Sequence, residues 1–442
     1  MRTEAKSDVA VVILPLPLHG HLNPLLHLST HIAGRHGIDV FYVTSASLNR
    51  RTRRRINPRH LPYTHLHFHD LPFPTSITFD HATVTAHLLP HLSSLLLSLS
   101  PSYRRVALLH DSSMSFATSA ADLIPNAEPF AFHPASAISN LFFQWDTYGT
   151  KPDDDRLFRY DLDACFGVGF LDFIRRQGPM TSIDAGRVIN TCRAVEGEFL
   201  DRLAWKGQRV FAVGPLNPII TVGGGENDVV VSWLDGQPPE SVVYVSFGTT
   251  STMSREQMRE LAAGLEASMR RFLWVIRKPD RIEDEEPIDD DHLHGFDFED
   301  FSKRVRGIGK VVKGWAPQLE ILSHPATAAF ISHCGWNSCM EAMSSGVPML
   351  TWPIQFDQPA NAVLVTEVLR AGIVAREWEK RDEVATGEKI AAVIERLMGD
   401  GNEGRDVRRK AREVGARLRA AVAEGGNSRE ELDALLAYIS RP

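Results

Sequence analysis

The chain has 442 residues, with 48 lysines and arginines against 55 aspartates and glutamates, a formal net charge of −7. That balance gives no general attraction to nucleic acid or to an anionic membrane surface. With 43% apolar and 23% charged residues the composition is that of a globular protein, and the length predicts two domains of about 200 residues each.

Charged residues precede the short apolar run Val9–Leu14 and its prolines, so this run reads as a first buried strand and not as a secretory leader. Leu18-His-Gly-His-Leu-Asn-Pro24 is a turn, and a helix is expected over Leu25–Gly34. Val40–Thr44 and Val106–His110 are further strands, the second leading into Asp111. The cluster Arg50–Arg55 reads as a solvated helix face, since the chain as a whole is acidic. His81–Tyr103 carries no Asp, Glu, Lys or Arg, but its three histidines, two prolines and many hydroxyls argue against a bilayer span. Leu92–Leu99 fits an amphipathic core helix. The stretches His65–Phe79 and Phe130–Asp172 would shape a pocket. Phe142, Phe143 and Trp145 are candidate walls, although each taken singly suits core packing better.

Val210–Pro218 closes the first half, and Ile219–Asp228, with Gly223-Gly-Gly225, reads as a linker. A second set of strands begins at Val242–Phe247 and continues through Phe272–Ile276, Lys310–Lys313 and Ala329–Ser332. Asp280–Asp291 is a solvated loop. Strands alternating with helices predict an α/β fold of two doubly wound domains, residues 1–218 and 229–442. Their ligands belong at the carboxyl ends of the strands. Cys165, Cys192, Cys334 and Cys339 are too few for a disulfide scaffold and lack the paired spacing of a zinc site, so buried thiols in a reducing, cytoplasmic setting are expected.

The densest chemical signal is residues 315–358, WAPQLEILSHPATAAFISHCGWNSCMEAMSSGVPMLTWPIQFDQ. A strand ending at Ser332 runs through the turn His333–Ser338 into a helix that stops at Gly346. Such a helix start gathers free N–H groups and the positive dipole end, a site suited to a pyrophosphate. By themselves Ser338 and Glu341 also read as a capping box, and Asp357 as an N-cap ahead of Pro359.

This stretch of 44 residues resembles the sugar-nucleotide box of plant secondary-product glycosyltransferases, which move sugar from a UDP-sugar to small metabolites. The resemblance implies a GT-B type fold, with two Rossmann-like domains facing a central cleft, donor in the second and acceptor in the first. It implies that the last helix, within residues 427–442, packs back on the first domain. It makes Trp315 the ring stacked on uracil, with Ala316 beside it, and Gln318 and Glu341 the ribose contacts. Thr249, His333, Asn337 and Ser338 become pyrophosphate contacts, and Asp357 and Gln358 sugar ligands. Trp336 and Gln358 match glucose-using members. Gly20-His-Leu-Asn-Pro24 matches the family's catalytic turn and selects His21, not His19, as base, with Asp111 as its helper; His19 stays a candidate at the acceptor mouth.

Asn361–Val368 and Glu377–Glu383 resemble the zeatin O-glucosyltransferase branch, as do Ala411–Ala416 and Gly425–Arg429. The implied reaction is inverting transfer from UDP-glucose, as co-substrate, to a hydroxyl of a small hydrophobic acceptor. The acceptor is expected to be a zeatin-type cytokinin, with a flavonoid or other phenol as the alternative and C-glucosylation as a further one. No cofactor and no metal are expected, since the protein supplies the electrostatics itself; the runs Asp153–Asp155 and Asp289–Asp291 lie in polar loops and are weak metal signals. A monomer without nucleic-acid partners or membrane insertion is expected. A nicotinamide-dependent oxidoreductase would show Gly-x-Gly-x-x-Gly after the first strand, which Leu18–Asn23 lacks. A catalytically silent nucleotide binder would be expected to lack His21 or Asp111.

Overall fold

The computed structural model describes residues 8–34, 37–55, 63–73, 81–148, 160–166, 168–177, 184–203, 208–218, 229–248, 253–276 and 296–442. The expected linker Ile219–Asp228 and the acidic runs at 153–155 and 280–291 lie outside the described residues.

The first sheet contains β1 (Val9–Leu14), β2 (Asp39–Thr44), β3 (Leu66–Asp70), β4 (Arg105–Asp111), β5 (Ala127–His133), β6 (Gly186–Ile189) and β7 (Arg209–Ala212). Its strands run in the order β3-β2-β1-β4-β5-β6-β7. The second contains β8 (Val242–Ser246), β9 (Arg271–Ile276), β10 (Gly309–Lys313), β11 (Thr327–Ser332), β12 (Met349–Thr351) and β13 (Gly372–Val374), in the order β10-β9-β8-β11-β12-β13. Every pairing is parallel. Parallel strands with helices on both faces must be apolar throughout, which is why β1, β8 and β11 are buried along their whole length. Two doubly wound domains result. In each, strand order reverses once, between β1 and β4 and between β8 and β11, and such crevices are where these sheets bind ligands. The pairs Leu14–His110 and Ser246–Ser332 bring each crevice's two strands to an end side by side.

The uncharged segment forms one helix, His81–Leu99, with Pro90 inside it. It begins well before the expected Leu92, directly after Asp80, a residue type that commonly precedes a helix. By length and composition Ala82–Ser102 could cross a membrane. Its Val84, Leu88, Leu92, Leu95 and Leu96 instead pack with Val12 and Leu14 of β1 and Leu108 of β4.

The last helix, Asn427–Ile439, follows the second domain in sequence but buries Leu432, Leu435, Leu436 and Ile439 in the first-domain core with Val9, Phe130 and Phe211. That is the i, i+3, i+4, i+7 stripe of a one-sided helix. Ser428 donates to the carbonyl of Gly214 at 2.6 Å, and Arg104 donates to the terminal carbonyls of Ser440 and Arg441 at 3.1 and 2.8 Å. Leu435→Ala should therefore destabilise the first domain by about 2–5 kcal/mol in denaturant titration. A change within about 0.5 kcal/mol, the level of a surface substitution, would show that this helix does not support that core.

Candidate active site

His21 is the third residue of the helix His19–Ala33. The helix starts six residues before the expected Leu25, since Pro24 sits inside it and not at its boundary. β4 carries Asp111 to the neighbouring strand end, and His21 Nδ1 meets Asp111 Oδ2 at 2.7 Å. The second oxygen of Asp111 accepts the Ser113 backbone N–H at 2.9 Å, so the carboxylate is held at both ends. A carboxylate only accepts, so Nδ1 carries the proton and Nε2 is left with its lone pair. Asp111 is fully buried, while the His21 side chain keeps 22% exposure. Burial opposes charge on His21, but Asp111, with a smaller contribution from Asp357, outweighs it and holds the imidazole above its usual pKa. Asp357 belongs to the second domain. Burial raises its carboxyl, against the Asn361 hydrogen bond and the attraction of His21.

On the other side, β11 passes through Cys334, in a left-handed conformation at φ 67°, to the helix Trp336–Ser345. Gly346 ends that helix at φ 73°. The N-cap is Gly335, and no side chain caps it. The capping-box reading of Ser338 and Glu341 is thereby corrected: Ser338 is the third helical residue. The Gln318 amide instead donates to Ser338 Oγ at 3.0 Å and to Glu341 Oε2 at 2.7 Å, while its carbonyl accepts from Tyr244 at 3.0 Å. The helix start thus keeps its backbone N–H groups clear of side-chain caps, as an anion site requires.

His333 is buried between two glycines. A Cβ on Gly248 would stand 2.6 Å from its Nε2, and one on Gly335 2.5 Å. Gly248 has φ +75°. Trp315 is 68% exposed, whereas Ala316 is buried. Thr249 lies outside the described residues.

Asp357 opens the helix Gln358–Val363 but does not cap it with its side chain; its Oδ2 accepts from Asn361 Nδ2 at 2.8 Å. Gln358 is buried, and its carbonyl accepts the backbone N–H groups of Ile354 and Gln355 at 2.8 and 2.9 Å. Only its NH₂ end remains to meet a ligand, so it donates and does not accept. Trp336 departs further from expectation. Its indole is buried and donates to the Asn190 carbonyl of the first domain at 2.7 Å, which leaves its backbone N–H as what it can offer a donor.

Three more hydrogen bonds cross between the domains. Asn337 Nδ2 donates to the Gly20 carbonyl at 2.9 Å, Ser136 Oγ to Asn361 Oδ1 at 2.6 Å, and Phe356 N–H to the Cys165 carbonyl at 2.7 Å. Asn361, Asn190 and Ser136 were not legible as site residues, because each is a single polar residue whose partner is far away in sequence.

Among the expected acceptor residues, His19 accepts from Arg51 at 3.2 Å. Phe142 is buried with its ring centroid 6.5 Å from that of Tyr160, and Phe143 lies 5.0 Å from Phe166. The Trp145 side chain lies outside the described residues. Phe166 and Phe170, a helical spacing apart, pack on Phe356 at 5.8 and 5.4 Å. This aromatic group next to Asp357 was missed, although the spacing of 166 and 170 was a visible signal.

Residues 7–218 match the glycosyltransferase N-terminal domain family, and residues 232–395 match the UDP-glucoronosyl and UDP-glucosyl transferase family. The chain is 42% identical to cis-zeatin O-glucosyltransferase 2 of Zea mays, with all of both chains covered. It is 36% identical to zeatin O-xylosyltransferase of Phaseolus vulgaris, again over all of both. A flavonol 3-O-glucosyltransferase of Arabidopsis thaliana is 30% identical over 97% of this chain and 96% of its own. Of solved structures, UGT2 of Phytolacca americana with UDP-2fluoro-glucose and pterostilbene superposes with TM-score 0.80 at 26% identity, covering 99% of this chain and 100% of that one. A transferase from Siraitia grosvenorii in complex with UDP gives 0.78 at 27%, covering 98% and 100%.

The charge arrangement around His21 is directly measurable. NMR titration should place its imidazole pKa above the usual value of 6.5. In Asp111→Asn the larger of the two attracting carboxylates is gone and burial is not, so the pKa should fall. An unchanged pKa would remove Asp111 as the group that controls His21.

Proposed function

The chain belongs to the UDP-glucoronosyl and UDP-glucosyl transferase family, and from that premise we propose that it transfers glucose from UDP-glucose to a hydroxyl of a small apolar plant metabolite, with inversion. The observation that carries this reading is the His21–Asp111 pair, on which Asp357 of the second domain also acts electrostatically. His21 Nε2 takes the acceptor's hydroxyl proton. The freed oxygen pair forms the bond to the anomeric carbon as the bond to UDP breaks, and that electron pair leaves on the pyrophosphate. Asp111 stabilises the imidazolium. The start of the helix Trp336–Ser345, with His333, Asn337, Ser338 and Thr249, stabilises the leaving charge. Trp315 and Ala316 hold uracil, Gln318 and Glu341 the ribose, and Asp357 and the Gln358 amide the sugar hydroxyls. The Gln318 amide already touches both Ser338 and Glu341.

For the acceptor we favour the hydroxylated side chain of a zeatin-type cytokinin, supported by 41–42% identity to two cis-zeatin O-glucosyltransferases over their full lengths. A flavonoid is the second reading, favoured by the Phe143, Phe166, Phe170 and Phe356 rings beside Asp357. Competition between cis-zeatin, trans-zeatin and quercetin for UDP-glucose, with product masses read out, decides between them. We also read the chain as a cytoplasmic monomer, in keeping with four buried free thiols; gel filtration tests the monomer.

His21→Ala should lower kcat by on the order of 10²–10⁴-fold, the usual cost of losing a general base. UDP affinity should hold, because the donor contacts lie in the other domain. Since His21 must be neutral to accept a proton and its pKa is raised, the acid limb of kcat/KM should fall above pH 6.5. Near-normal turnover in His21→Ala would refute the base. Gln358→His should weaken UDP-glucose use against UDP-galactose, changing the ratio of specificity constants by roughly tenfold, as loss of one satisfied polar contact does. An unmoved ratio would mean that Gln358 does not read the sugar.

A further inference from the structure

We propose that Pro24 and Asn337 form an interdomain latch that seats the His21 turn against the donor helix. An ordinary residue at position 24 of the helix His19–Ala33 would give its N–H to the carbonyl four residues earlier, that of Gly20. Proline has no N–H to give, and its ring presses on that same carbonyl. Gly20 therefore loses its intrahelical donor, one residue before His21. The donor domain supplies a replacement: Asn337, second residue of the helix Trp336–Ser345, donates its side-chain amide to the Gly20 carbonyl at 2.9 Å.

The substitute bond has a consequence that an intrahelical bond would not have. It ties the first turn carrying the base directly to the helix start proposed to receive the pyrophosphate. An N–H at residue 24 would draw the Gly20 carbonyl back into the helix and weaken its bond to Asn337. Pro24 touches neither substrate nor reacting atom, so it is a positioning residue. Its placement inside a helix, unfavourable for that helix alone, is accounted for by the contact it opens. This inference rests on the reading of His21 as the base.

The test is a double-mutant cycle of Pro24→Ala and Asn337→Ala. It reads kcat with UDP-glucose and the best acceptor of the zeatin and quercetin panel, together with UDP affinity, melting temperature and amide exchange at residue 24. Pro24→Ala restores the missing N–H and favours helix. Its melting temperature should therefore be unchanged or higher, its UDP affinity unchanged and the residue 24 amide protected. Its kcat should fall by roughly 2- to 10-fold, the effect of one hydrogen bond. In the Asn337→Ala background the same change should leave kcat unaltered, because the bond it competes with is already gone. Wild-type kcat in Pro24→Ala, effects that multiply in the double variant, a lowered melting temperature or a freely exchanging amide would each overturn the latch. An active His21→Ala removes the premise; an inactive His21→Ala with an additive cycle removes the latch alone.

Discussion

Neither sheet holds a complete site, and everything chemical about the molecule depends on how the carboxyl ends of the two sheets are held against each other. The first crevice contributes the hydrogen-bonded pair His21 and Asp111, and the second an uncapped helix start with Gln318, Glu341 and Asp357 around it. Four hydrogen bonds, Trp336 to Asn190, Asn337 to Gly20, Ser136 to Asn361 and Phe356 to Cys165, join the two. Their donors or acceptors lie in the first turn of the helix His19–Ala33, in the helix Trp336–Ser345, or beside Asp357. Asn361 shows the economy of the arrangement, since one side chain meets Ser136 of the first domain, Asp357, and the Cys334 carbonyl in the turn after β11.

Electrostatics reinforce that geometry. His21 is attracted by a carboxylate from each domain, so its basicity is a property of the assembled cleft and not of the first domain alone. The same proximity only partly offsets the burial that raises the Asp357 carboxyl. Packing sets limits as firm as charge does. His333 can occupy its place only because Gly248 and Gly335 have no side chain, and a methyl group at either would stand within bonding-clash distance of the ring.

The sequence showed most clearly what is local and repetitive. The runs that became β1, β4, β8 and β11 are continuous apolar segments, as strands buried on both faces must be, and they are the four strands that flank the two crevices. β3, with His67 and His69 among its five residues, and the three-residue β12 and β13 carry no such pattern. Pro24 misled because the residue before a proline is usually driven out of helix; here the helix continues through it. Ser338 misled because its capping chemistry is real but it lies three residues beyond the N-cap, Gly335. The contacts of Trp336 and Asn337 with the first domain were invisible for another reason. They join residues 146 and 317 positions apart, and no local spacing reports such a partner.

The stereochemistry of a single transfer tests the central claim most directly. An acceptor deprotonated by a first-domain base while the donor's pyrophosphate is held by the second domain must attack the anomeric carbon from the side opposite the leaving group. Proton NMR of the product formed from UDP-α-glucose should therefore show a β-linked glucoside from the first turnover onward. An α-linked product would require a different nucleophile or a second displacement, and would contradict the account of His21, Asp111 and the donor helix as one direct-displacement site.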